Sequence, residues 1–169
     1  MLEHIDKSAL LLALRGHLEQ ELSQLLKAQR STQEGATHEE SRAENDKDTR
    51  ALESTYLARG LSERVAQLEN GLKATLGLKP RTFGADDPVA LGALVAVELG
   101  PQEAFYLVAP AGAGARLNLP THLELKSQHV QIVTTKSPLG QALLGKYVDD
   151  DFEVQTPQGR REGTITAIR

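Results

Sequence analysis

Lys27-Ala28-Gln29-Arg30-Ser31-Thr32-Gln33-Glu34-Gly35-Ala36-Thr37-His38-Glu39-Glu40-Ser41-Arg42-Ala43-Glu44-Asn45-Asp46-Lys47-Asp48-Thr49-Arg50-Ala51 contains no Val, Ile, Leu, Met, Phe, Tyr or Trp. On its N-terminal side, Leu11, Leu14, Leu18, Leu22 and Leu25 recur at spacings of three or four. On its C-terminal side, Leu57, Leu61, Val65, Leu68, Leu72 and Leu76 do the same. Such spacing collects apolar side chains on one face of a helix. Two long amphipathic helices packed antiparallel are therefore expected, at 6–34 and 45–76, with Asp6 or Ser8 capping the first and Gly77 ending the second. At 1.5 Å per residue each extends about 40 Å.

The polar stretch is then the far end of this hairpin, with residues 35–41 as the place where the chain reverses. Only Ala28, Ala36, Ala43 and Ala51 are left to build a seam there, so a solvated, mobile end is expected in the free protein. Its charge is one-sided near 36–48: Glu39, Glu40, Glu44, Asp46 and Asp48 stand against Arg42 and Lys47. Acids in the first turn of a helix complement its dipole, contributing a few tenths of a kcal/mol each. For a charge run taken alone that is the ordinary explanation. The alternative is a protruding acidic tip that delivers carboxylates into a partner.

Beyond the second helix the pattern changes. Pro80, Gly84, Asp86-Asp87 and Pro88 mark a linker over 79–88, separating a hairpin at 1–78 from a C-terminal domain at 89–169. Short β runs follow at 93–97, 105–108, 130–133, 152–154 and 165–168, and Pro157-Gln158-Gly159 should turn the last two into a hairpin. Ser137-Pro138-Leu139-Gly140-Gln141-Ala142-Leu143-Leu144-Gly145-Lys146 has an N-cap Ser, a Pro suited to the first helical position and a Gly suited to the C-terminal cap. It predicts a short helix on the sheet. The fold class is α+β, an antiparallel helical hairpin followed by an antiparallel sheet domain with one short helix. About ninety residues suffice for a modest core of this kind.

Apolar residues make up 40% of the 169, but aromatics only 4% with no Trp, so Leu, Val, Ile and Ala must form the interior. The net charge of −4 argues against autonomous DNA binding, which needs a basic face to displace counterions. Without Cys there are no disulfides and no thiolate metal sites. The start, Met1-Leu2-Glu3-His4-Ile5-Asp6, lacks the basic region of a signal peptide, and the apolar run 9–14 is too short to span a bilayer. A cytoplasmic protein without membrane contact is expected.

Several catalytic motifs fail on inspection. Gly140 to Lys146 matches most of a P-loop, but Tyr147 stands where Ser or Thr must reach Mg²⁺, and the glycines do not open a helix after a strand. Ala111-Gly112-Ala113-Gly114-Ala115 is followed by no dinucleotide fingerprint. His4, His17, His38, His122 and His129 have no zinc spacing, and no Ser sits in a nucleophile elbow. No self-contained active site and no cofactor of its own are expected.

The segment 137–146, followed by Asp149-Asp150-Asp151, a strand and Thr156-Pro157-Gln158-Gly159, resembles the C-terminal domain of the Gre transcription elongation factors. Arg64-Val65-Ala66-Gln67-Leu68-Glu69 is similar to that family's second coiled-coil helix. The resemblance implies an FKBP-like C-terminal fold that docks on RNA polymerase, here through Ser137, Pro138, Leu139, Gly145 and Lys146. It also implies a coiled coil that enters the polymerase secondary channel and, through an Asp and a Glu at its tip, helps hold a Mg²⁺ ion shared with the polymerase for hydrolysis of backtracked RNA. Contact with nascent RNA would then be indirect, and the factor would act as a monomer. Glu44 and Asp48, i and i+4 on a helix, are the candidate catalytic and metal-holding carboxylates, with Asp46 in reserve.

This tip departs from the family's approximate Asp-Leu-x-Glu-Asn-Ala-Glu-Tyr. Aligned on Glu44-Asn45, Ser41 stands at the first acid. Aligned on 64–69, Glu44 takes that position and Lys47 the second. Either way one carboxylate is missing, and a non-cleaving regulator that competes for the same channel is the alternative. Two other classes are a coiled-coil scaffold with no polymerase role, disfavoured by the seamless tip, and a prolyl isomerase or chaperone. Phe105, Tyr106 and Phe152 are few to line a proline pocket, and fold alone is a weak warrant for function.

Overall fold

The computed structural model describes residues 2–39, 47–84, 86–119, 129–157 and 159–169, and side chains outside 35–39 and 47–51. A 3₁₀ turn, Leu2–His4, leads into α1 (Lys7–Glu39) and α2 (Lys47–Gly77). Asp6 caps α1, its carboxylate accepting from the Ser8 amide at 2.8 Å. The helices are antiparallel, since partner numbers fall along α2 as they rise along α1. Arg15 donates to the carbonyls of Thr75, Leu76 and Leu78 at 3.3–3.4 Å. Further out, Arg64 meets Glu21 at 3.1 Å and the Gln29 amide donates to Ser62 at 2.9 Å. Arg15 thereby satisfies carbonyls that the end of α2 leaves open.

Two expectations about the hairpin are corrected. Helix α1 continues through Gly35 to Glu39, so the chain does not reverse at 35–39; residues 40–46, with the rest of the expected turn, lie outside the described residues. A polar, Ala-containing sequence is sufficient to prolong an established helix, because propagation is far easier than nucleation. Leu57 and Leu76, expected in the seam, are exposed. Leu57 lies beyond the Gln29–Ser62 contact, where α1 has no large apolar side chain to offer. At Leu76 the apolar face of α1 is turned to the sheet.

Six strands form one sheet in the order β3-β4-β2-β1-β6-β5: β1 (Leu94–Leu99), β2 (Gln102–Ala109), β3 (Arg116–Asn118), β4 (His129–Thr134), β5 (Asp151–Thr156) and β6 (Gly159–Ile168). All neighbours are antiparallel except β2 and β4, which run parallel with Phe105 beside Val130 and Leu107 beside Ile132. The sheet is thus mixed, and α3 (Pro138–Leu143) follows its parallel strand.

Both faces of the sheet are covered. On one, Leu94, Phe105, Leu107 and Ile132 pack against Leu10, Leu11, Leu14 and Leu18 of α1, with Leu68 and Leu72 of α2 alongside. On the other, Val95, Val97, Tyr106, Val108, Val133 and Ile165 pack against Leu143 of α3 and against Phe83 and Val89. Alternation along each strand sends successive residues to opposite cores. The base of the hairpin is therefore part of the same packed body as the sheet.

Residues 78–88 do more than connect. Phe83 is buried, and the Lys7 ammonium and Arg81 guanidinium lie 4.9 and 4.7 Å from its ring centroid. Lys7 donates to the carbonyls of Arg81 (2.5 Å) and Arg169 (2.8 Å), while Arg169 donates to those of Leu2 (2.6 Å) and Ile5 (2.9 Å). The start of the chain, the segment after α2 and the end of β6 are laced together there.

Candidate functional site

The segment around α3 is built by Ser137. Its Oγ accepts from the Gly140 amide (3.1 Å) and donates to the Thr134 carbonyl (2.8 Å), capping the helix and pinning it to the end of β4. Pro138 opens the helix at a position needing no amide donor. Gly140 rests against the Thr134 carbonyl so closely that a Cβ would collide with it. Gly145 adopts φ +75°, and its amide donates to Val89 (2.8 Å) while the Lys146 carbonyl accepts from Val89 (2.8 Å). Among the candidate docking residues, then, Gly145 and Lys146 lend their backbone to structure. Pro138 is exposed, with Ser137 and Leu139 half-buried beside it.

The neighbouring acids are engaged locally. Asp150 accepts from the Tyr147 amide (2.7 Å), Asp151 from the Thr164 hydroxyl (2.7 Å), and Asp149 holds φ 69°. Across the β5–β6 turn, Thr156 pairs with Gly159, and its Oγ1 donates to the Gly159 carbonyl (2.8 Å).

Beside α3 lies a cavity of about 300 Å³, lined by Tyr106, Gln131, Pro138, Leu139, Val154 and Arg161 among others. Tyr106, Phe105 and Phe152 are the aromatics the sequence offers for a proline pocket. In the structure Phe105 faces the hairpin, whereas Tyr106 and Phe152 share the opposite core and Tyr106 also lines the cavity. The available signal was the alternation itself, which also sends adjacent Arg160 and Arg161 to opposite faces.

Of the tip carboxylates, Glu44 and Asp46 lie outside the described residues, and Asp48 is the second residue of α2. Among the described residues no three His, Asp or Glu side chains converge as a metal site, and no helix is long and apolar enough to cross a membrane.

A long antiparallel hairpin rooted on a mixed sheet, with the Ser-Pro helix on the sheet's far side, defines a two-part factor of the transcription-elongation class. The family described as "Transcription elongation factor, GreA/GreB, C-term" matches residues 85–169, and the chain belongs to the GreA/GreB family. It is 30% identical over 128 residues to the transcription inhibitor protein Gfh1 of Thermus thermophilus, covering 73% of each chain. Over 129 residues it is 28% identical to the transcription elongation factor GreA of Syntrophus aciditrophicus, covering 75% of this chain and 70% of that one. A solved Gfh1 structure aligns over 93% of this chain and 94% of its own at 22% identity and a TM-score of 0.39. Gre factors bind RNA polymerase as accessory proteins and are not enzymes themselves.

Proposed function

We propose that this protein docks on RNA polymerase through the surface around α3 and inserts its hairpin into the secondary channel, bringing the acidic tip toward the active centre. The observation that carries this reading is the way 137–140 is built: cap, Pro and close-packed Gly hold Pro138 and Leu139 rigidly at the surface. Opposite them a helix of 33 residues, about 50 Å long at 1.5 Å per residue, projects from the base. The experiment is comigration of the full-length protein with purified RNA polymerase; failure to comigrate would sink the reading.

A second question is what the tip does on arrival. Carboxylate oxygens suit Mg²⁺, which retains waters and needs only one or two protein ligands. Glu44 and Asp48, with Asp46 in reserve, are the residues that would hold it, shared with the polymerase. When bound, such an ion stabilises the attacking and leaving oxygens of phosphodiester hydrolysis. Against cleavage stand the missing family carboxylate at Ser41 or Lys47 and the likeness to proteins named as transcription inhibitors. These favour a non-cleaving regulator that competes with cleavage factors for the channel. Wild-type protein added to a backtracked elongation complex should bind and release no RNA; Mg²⁺-dependent release would establish cleavage instead.

A further inference from the structure

We propose that the cavity beside α3 is a socket for a carboxylate side chain of RNA polymerase, an Asp or Glu flanked by apolar residues, gripped by the Tyr106 hydroxyl and the Arg161 guanidinium. This deepens, and rests on, the docking reading above. Three independent features point to such an occupant. Tyr106 lines the cavity with its ring buried, and among the described residues its hydroxyl makes no hydrogen bond. The ring is buried while the hydroxyl still reaches solvent, so a phenolic donor stands available to a ligand entering the cavity. Arg161, also on the cavity wall, is exposed and forms no ion pair or hydrogen bond among the described residues. Its neighbour Arg160, on the opposite face, is held by both Glu153 (2.6 Å) and Glu162 (2.9 Å).

The third feature is the distribution of charge. None of the cavity's described lining residues is acidic. The strand alternation sends Glu98, Glu103, Asp151, Glu153 and Glu162 to the other face. In a chain of net charge −4, this surface is kept for cations. Burial pushes the Tyr106 phenol above its ordinary range despite the opposing pull of Arg161 and Arg116, so it remains a proton donor at physiological pH. A donor hydroxyl beside a guanidinium suits a carboxylate, which can accept from both. The remaining wall, including Leu99, Val133, Leu139 and Val154, suits an apolar neighbour on the same protein segment better than a free hydrated anion.

The test measures full-length variants competing with fluorescent wild-type protein for RNA polymerase. Tyr106→Phe keeps the buried ring and removes only the hydroxyl; Arg161 is exposed, so its replacement leaves the core intact. Loss of a hydrogen bond to a charged partner predicts binding about 10-fold weaker for Tyr106→Phe and for Arg161→Gln. Arg161→Glu should be weaker still, and Arg160→Gln should match wild type. If wild type binds and both Tyr106→Phe and Arg161→Glu bind equally well, the socket is wrong while docking stands. If only the Arg161 variants weaken, the cation acts as a general surface charge and the socket is again wrong. Wild type failing to bind at all overturns the docking reading and the socket with it.

Discussion

Gly140 has no room for a side chain, because the Thr134 carbonyl occupies the position a Cβ would take. Gly140→Ala must therefore push α3 off the end of β4, and overpacking of this kind costs about 1–3 kcal/mol. Ser137→Ala, which removes the cap without a clash, should cost about 1 kcal/mol. Urea denaturation of the two variants checks the order: Gly140→Ala should be the less stable. Lys7 offers a pH signature. Burial, with Arg169 and Arg81 adding repulsion, pushes its ammonium down to about 8 from 10.5, outweighing its two carbonyl acceptors and the Phe83 ring. Between these values the unfolded chain holds a proton that the folded protein has released. Stability should therefore rise with pH across that window and be flat, from this group, below it. Lys7→Met should remove that rise, seen as a smaller difference between denaturation midpoints at pH 7 and pH 10. Equal pH dependence in both proteins would mean Lys7 titrates alike folded and unfolded.

At the scale of elements, the hairpin is secured only at its base. Leu14 and Leu18 are fully buried, Leu22 and Leu25 partly, and past them the helices meet through polar contacts such as Gln29 with Ser62. Amide exchange at 20–34 and 52–63 should accordingly be faster than at 10–18 and 65–75. Gln29→Leu with Ser62→Leu would extend the apolar seam where the two already touch, and should stabilise the protein by about 1 kcal/mol. A thermal melt unchanged by the double substitution would show that these helices do not stay together there. Much of this was legible in the Leu spacing, which located both helices, and in the short β runs, which located five of six strands. Strand β3 was not, because three residues with only Leu117 buried carry no period. Nor was the parallel pairing of β2 with β4, which depends on where chain segments cross rather than on local pattern. Leu11, Leu14 and Leu18 read as a helix–helix seam, yet the same side chains also cover the sheet. Periodicity reports that a face is apolar and says nothing of what covers it.

For the whole molecule that double use ties the hairpin's direction to the sheet that carries the α3 surface. A factor of this shape can present its far end at a set distance from its docking site, and what happens there depends on the tip's chemistry. Two registers locate the missing family carboxylate differently. With Glu44-Asn45 as anchor, Ser41 stands in for the first acid and Glu44 is the second; with 64–69 as anchor, Glu44 is the first and Lys47 stands in for the second. Ser41→Asp completes the pair in the first register and Lys47→Glu in the second. If a lost carboxylate is all that separates this protein from a cleavage factor, one of these changes should confer Mg²⁺-dependent RNA release on a backtracked complex. The other should not, and the responsive variant fixes the register. Replacing Glu44 with Ala in that variant should abolish the gained activity, since Glu44 belongs to the pair in both registers. Binding should be unaltered throughout, because the α3 surface is untouched. Release by neither variant, with binding intact, would place the block elsewhere than in the carboxylate count.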